Sequence, residues 1–274
     1  MTIKSSNRTI VNILGIPGIL TLLWVGGPLF GVFISIVILL ASREFLIMTG
    51  LYEQNSLVKW ITYLCCIGFC YFYYFLPELN AFHILLINAI VIITAFLIEI
   101  FKSTSNPTRN LSVNIFCIFY VGGLLSTLIG LRNFDTLHST YFTLFMVLSI
   151  WICDSAAFYF GSKWGRKKIL PSISPKKSWV GCIAGLISSF IVYGTGAYLD
   201  FLEISMKEMC IFAIITGVFG QMGDFAESLL KRNAGVKDSG TLLLGHGGVL
   251  DRFDSLIFAS PLTYFYLYFI VAGG

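Results

Sequence analysis

Residues 237 to 255, KDSGTLLLGHGGVLDRFDS, gather Lys237, Asp238, His246, Asp251, Arg252 and Asp254 in a chain that is 57% hydrophobic and only 12% charged. Gly240, Gly245, Gly247 and Gly248 let the backbone turn sharply and approach a ligand closely. Asp251 and Asp254 are three apart and open the last apolar run; a helix N-terminus favours acids, so a cap is one reading of Asp251. Just upstream, GQMGDFAESLLKR puts Asp224 and Glu227 on one helix face, which Ser228 and Lys231 continue. Buried acids that lead into cations read either as an internal ion pair that helps helices pack or as a site. Carboxylates from two helices can hold a hard divalent cation, which takes oxygen ligands and keeps substrate phosphate in its shell. Lys231, Arg232 and Lys237 then suit the phosphates of a phosphoryl-type transfer. His246 reads as a metal ligand, a general base or a donor that fixes the loop.

A second charged stretch, GSKWGRKKILPSISPKKSW, carries Lys163, Arg166, Lys167, Lys168, Lys176 and Lys177 and no acid. Such a loop suits a polyphosphate or an anionic lipid surface, or is an ordinary membrane-flanking anchor. Asp154 lies about three turns earlier in an apolar segment, where an ionisable group is costly and marks a functional site by default. The chain contains no G-x-x-x-x-G-K-[ST] loop and no H-E-x-x-H pattern.

The elements that position these groups are membrane spans. A soluble domain carries about 25% charged residues, and runs of about 20 apolar residues suffice to cross a bilayer. Nine such runs are expected, within 9–26, 28–47, 58–76, 81–101, 111–131, 140–161, 180–199, 208–230 and 252–272. The first, with Asn12 and Pro17, is the weakest; it lacks a small-residue cleavage site and reads as a retained helix. The runs are too apolar for the alternating strands of an outer-membrane barrel. The fold expected is an all-α polytopic integral membrane protein, a single membrane domain over 1–274. Residues 1–135 supply N-terminal spans and residues 140–274 the half with the chemistry.

A cytoplasmic N-terminus places sixteen of the eighteen Lys and Arg inside, leaving only Arg132 and Lys207 on the other face. That bias accounts for most of the net charge of +4, so no nucleic-acid partner is needed. The seven cysteines fall in or beside spans without a paired C-x-x-C metal pattern and read as small packing residues. The constellation fits metal-assisted chemistry on a nucleotide and a lipid phosphate. An ion-coupled transporter fits the buried acids but explains the basic connections poorly.

The stretch SLLKRNAGVKDSGTLLLGHGGVLDRFD, Ser228 to Asp254, resembles the signature of the phosphatidate cytidylyltransferase (CDP-diacylglycerol synthase) family: S-x-x-K-R, four residues, K-D, then H-G-G-x-x-D-R-x-D. GQMGDFAESLLKR, SPKKSWVG and CDSAAFYFGSKWG also resemble family segments, so the likeness covers the C-terminal half. It implies a bacterial inner-membrane enzyme, working as a homodimer, whose active site faces the cytoplasm. The implied reaction makes CDP-diacylglycerol and pyrophosphate from CTP and phosphatidate with Mg²⁺, with room for a second, monovalent cation such as K⁺ beside it. The implied catalytic residues are Asp224, Asp251, His246, Lys237 and Asp238. Lys176, Lys177, Ser228, Lys231, Arg232, Gly247, Gly248 and Arg252 are the implied substrate-binding residues, and Asp224, Asp251 and Asp254 the implied metal ligands. Leu244 replaces the family's usual Pro, and Val180 its usual Glu. The related alternative is a membrane kinase that phosphorylates a prenyl alcohol from a nucleotide.

Overall fold

The structure is a computed structural model that describes residues 15–52, 56–75, 81–102, 106–134, 138–242 and 247–271. Its elements are helices, with no strand among the described residues and one isolated antiparallel bridge between Lys168 and Ser178. In chain order they are α1 (Gly15–Val25), α2 (Gly27–Met48), α3 (Ser56–Phe75), α4 (Ala81–Lys102) and α5 (Pro107–Asn133). They continue with α6 (His138–Trp164), α7 (Trp179–Tyr198), α8 (Met206–Asn233) and α9 (Leu250–Tyr266). Six of them, α2 and α5 to α9, are long and apolar enough to cross a membrane, whereas Gly15–Val25 and Leu86–Phe101 are shorter apolar stretches. The protein is an all-α polytopic membrane protein.

Local sequence explains the helix starts. Pro28 occupies the first turn of α2, where a missing N–H costs nothing. Ser178 caps α7 by accepting from the Gly181 N–H. Ser205 and Glu208 form a reciprocal capping box at α8. Two long helices change pitch midway: α5 runs as a π-helix over Ile118–Gly123 and α8 over Ile215–Gly220. Such insertions rotate the following residues and are frequent at functional sites.

The apolar core lies where α2, α3, α5 and α9 meet, with Ile38, Ala41, Leu46, Cys66, Val121, Leu125, Ile257 and Ala259 all 0% exposed. Helices in lipid gain little by hiding apolar surface, so close packing and hydrogen bonds must join them. Thr62 donates to Asn114 between α3 and α5 at 2.5 Å, and Thr127 to Ser260 between α5 and α9 at 2.9 Å. The Ser149 and Thr216 hydroxyls share a bond between α6 and α8 at 2.8 Å. The most extensive helix pair is α6 with α7. There a Cβ on Gly181 would lie 2.6 Å from the Ala157 carbonyl oxygen. Arg132, expected on the outer face, is buried at the end of α5 and donates to the carbonyls of Leu23 and Trp24, which end α1.

Candidate active site

The start of α9 is built around two carboxylates. Gly247 has φ +83°, a left-handed conformation that side chains rarely adopt, and a Cβ on Gly248 would collide with the Ser239 hydroxyl and the Glu44 carboxylate. Glu44 reaches this turn from α2 and is only 2% exposed. Its Oε1 accepts from Val249 N at 3.0 Å, and its Oε2 from Leu250 N at 2.9 Å and from Ser239 Oγ at 3.1 Å. Asp251 holds the same turn from within: Oδ2 accepts from Gly248 N at 2.7 Å and Ser239 N at 3.0 Å, while Oδ1 takes Lys231 Nζ at 2.6 Å. The N–H groups that begin a helix thus meet two negative charges, the pairing its dipole favours.

The second helix of the site is α8, just past its π segment. Asp224 Oδ2 is 2.5 Å from Lys177 Nζ, and Ser228 Oγ donates to Asp224 Oδ1 at 3.3 Å. Lys177 comes from the α6–α7 connection, and its ammonium also sits 4.1 Å from the centre of the Phe225 ring. One turn on, the fully buried Glu227 pairs with Lys231, so Lys231 bridges α8 to Asp251 of α9. Asp254, whose Oδ1 accepts from Ser255 N at 2.6 Å, lies within electrostatic reach of Asp224, Asp154 and Lys177. Asp154 of α6, exposed at its surface, is in turn within electrostatic reach of Asp224, Lys177 and Arg252. Three helices therefore converge on one patch of carboxylates.

The anticipated residues divide into those in this cluster and those around it. Asp224, Asp251, Asp254, Lys177, Ser228 and Lys231 stand together. Gly247 and Gly248 form the turn, but the Gly248 N–H is directed at Asp251. Lys176, Lys237, Asp238 and Arg252 are exposed. Arg232 bonds the carbonyls of Ile173 and Val236, which fastens the basic connection to the end of α8. That connection is pinned on itself as well, since Trp179 N donates to Lys167 O and Ile169 N to Lys177 O. Val180 is exposed in the first turn of α7. His246 and Leu244 lie outside the described residues. The sequence reading missed Glu44, although an acid inside an otherwise apolar span is the same signal that singled out Asp154.

The chain matches the model of the Cytidylyltransferase family over residues 6–270. The chain belongs to the cytidylyltransferase family. It is similar to the phosphatidate cytidylyltransferase of Staphylococcus aureus (strain COL), 32% identical over 266 residues, which cover 93% of this chain and 96% of the relative. It is also similar to those of Bacillus subtilis (strain 168), 38% identical over 148 residues, and of Staphylococcus saprophyticus, 46% identical over 123. These last two alignments cover 54% and 44% of this chain and span only about half of each relative, 55% and 47%.

For a cytidylyltransferase the cluster's donor set matters most. Asp154, Asp224, Glu227, Asp251 and Asp254 bring five carboxyl groups to a patch that Lys177, Lys231 and Arg252 share. An all-oxygen donor set suits Mg²⁺. The residues present thus fit the metal by donor type. Among the described residues no three such side chains already stand in ligating positions. Lysine ammonium groups contact Asp224 and Asp251 instead.

Proposed function

We propose that this chain is a phosphatidate cytidylyltransferase that transfers CMP from CTP to phosphatidate, giving CDP-diacylglycerol and pyrophosphate. The observation that carries the reading is the meeting of the α8–α9 carboxylates with Lys177 from the basic α6–α7 connection. A phosphate oxygen of the lipid attacks the α-phosphorus of CTP, the new P–O bond forms, and the bond to pyrophosphate breaks with its electron pair leaving on pyrophosphate. A phosphate monoester has a second pKa of about 6, so at neutral pH the nucleophile is already anionic and needs no strong base. Catalysis then rests on positioning and charge neutralisation.

Lys177 and Lys231 would hold the carboxylates in register before substrate arrives, and the exposed Lys176, Lys237 and Arg252 would meet phosphates. Asp224 and Asp251, with Asp254 beside them, would hold Mg²⁺, which supplies positive charge to the nucleotide phosphates. Nine crossings with a cytoplasmic N-terminus are part of the proposal, supported by the Lys and Arg bias. That layout puts the site on the inner face of a bacterial cytoplasmic membrane, where CTP is found.

The test uses purified protein in sealed vesicles of known orientation, phosphatidate, and CTP labelled in its cytidine. Label is expected in the lipid, with one pyrophosphate released per lipid, and only when CTP is on the side of the basic connections. Free nucleoside diphosphate would instead indicate a kinase, ion flux without pyrophosphate a transporter, and product from the opposite side would overturn the topology.

A further inference from the structure

A cavity of about 360 Å³ lies between α3, α4, α5 and α9, with walls of Phe69, Phe72, Phe116, Phe119, Tyr120 and Phe265. Tyr120 lines the cavity, and its ring centre lies 6.4 Å from that of Phe45, the neighbour of Glu44. It sits on the π segment of α5, is only 6% exposed, and its hydroxyl has no hydrogen-bond partner among the described residues. That hydroxyl is within electrostatic reach of Glu227, Asp254 and Asp224. Along α9, Phe265 follows Asp254 by eleven residues, roughly 16 Å of helix at 1.5 Å per residue, so the cavity extends away from the carboxylates along the helices. An amphiphile whose phosphate reacts at the carboxylates needs an apolar path leading away from them, and these aromatic walls supply one.

We propose that this cavity is the subsite for one acyl chain of the lipid phosphate, with Tyr120 at its inner end beside the carboxylates. The proposal rests on the cytidylyltransferase reading above. Its occupant is the substrate's own chain because the cavity adjoins the reacting end. Apolar chains gain little on leaving the bilayer for an apolar cavity, so the subsite acts through shape and discriminates chain length.

Gly123, on the cavity wall, provides the test. A Cβ there would lie 3.7 Å from both Phe119 and Phe69 and 3.8 Å from the Ile118 carbonyl oxygen, all ordinary contacts, so alanine fits without a collision and valine adds bulk at the wall. Gly123→Val, and Gly123→Ala as the milder change should the first not fold, are compared with wild type on dihexanoyl- and dioleoyl-phosphatidate. For Gly123→Val, kcat/KM on the long-chain lipid is expected to fall about tenfold, the scale on which an apolar pocket resolves a methylene or two. For Gly123→Ala a smaller loss on the same lipid is expected, and in both variants the loss on the short-chain lipid should be clearly the lesser. Equal losses on both lipids, or none on either, would overturn the acyl subsite. Wild type inactive on both lipids would instead sink the transferase reading.

Discussion

At the start of α9 the charged groups answer one another, whereas in the connection between α6 and α7 most of them face outward. Glu44 and Asp251 together accept from four backbone N–H groups, one hydroxyl and one lysine, and both lie in packed surroundings. Lys176, Arg166 and Lys167 are exposed, whereas Lys177 of the same connection reaches an acid. Buried polar groups that are fully paired rigidify a site, and an unpaired one is costly. Exposed cations keep their freedom and exchange water for an incoming anion at small cost. On the proposed reading the contrast divides the labour: α9 would fix where the reaction takes place, and the loop would receive what arrives.

If that division holds, the largest effects come from the fixed side. Asp224→Asn and Asp251→Asn should each reduce turnover by on the order of 10²–10³, the scale of removing one preorganised electrostatic partner. The double variant should lose little more, because groups acting as a unit are strongly non-additive. A Mg²⁺ titration of activity in detergent, with size-exclusion profiles to confirm folding, measures this. Near-wild-type turnover with unchanged Mg²⁺ dependence in both single variants would return the acids to capping and packing.

Glu44→Gln tests whether the α9 turn positions Asp251 or merely holds the chain together. The amide keeps the size but offers one acceptor oxygen where the carboxylate has two, leaving a buried N–H of Val249 or Leu250 facing a donor, a cost of about 1–3 kcal/mol. Activity is expected to fall roughly 10- to 100-fold, as when an outer partner of a site residue is removed, with the Mg²⁺ midpoint moving to higher concentration. A lower melting temperature with kcat and Mg²⁺ midpoint unchanged would make Glu44 purely structural.

The reason Glu44 escaped the sequence while Asp224, Asp251 and Lys231 did not is physical. The latter stand in a run where charges recur at helical spacing against an apolar background, so their convergence is written locally. Glu44 sits next to Arg43 near the end of a span, where an isolated charge reads as a membrane-interface residue, and its partners are some two hundred residues away. Tyr120 is harder still, one of 13 Tyr in a chain with 25 Phe, with nothing in its local run to set it apart. The helical membrane class followed from apolar run length alone. The helix interruptions did not, because Ile118–Gly123 and Ile215–Gly220 carry no proline or charge to announce them.

The smallest effect is expected from the open side of the comparison. Lys176 is exposed and Lys177 is paired with Asp224, so replacing both by Gln removes one mobile cation and one that also holds an acid in place. Receiving an anion is a binding function, so the loss should appear as a rise in the apparent KM for CTP or phosphatidate with kcat lowered less. Exposed charges are screened by salt, with a Debye length of about 8 Å at physiological ionic strength. The wild-type KM should therefore rise with added salt, and the double variant's should rise less. Lys176→Gln alone separates the two roles: a change confined to KM marks a cation that only captures substrate. Steady-state kinetics of the single and double variants across a salt series provide the measurement. Unchanged KM and salt dependence in the double variant would make the connection a membrane anchor, and the division between a fixed α9 and a receiving loop would fail on its loop side.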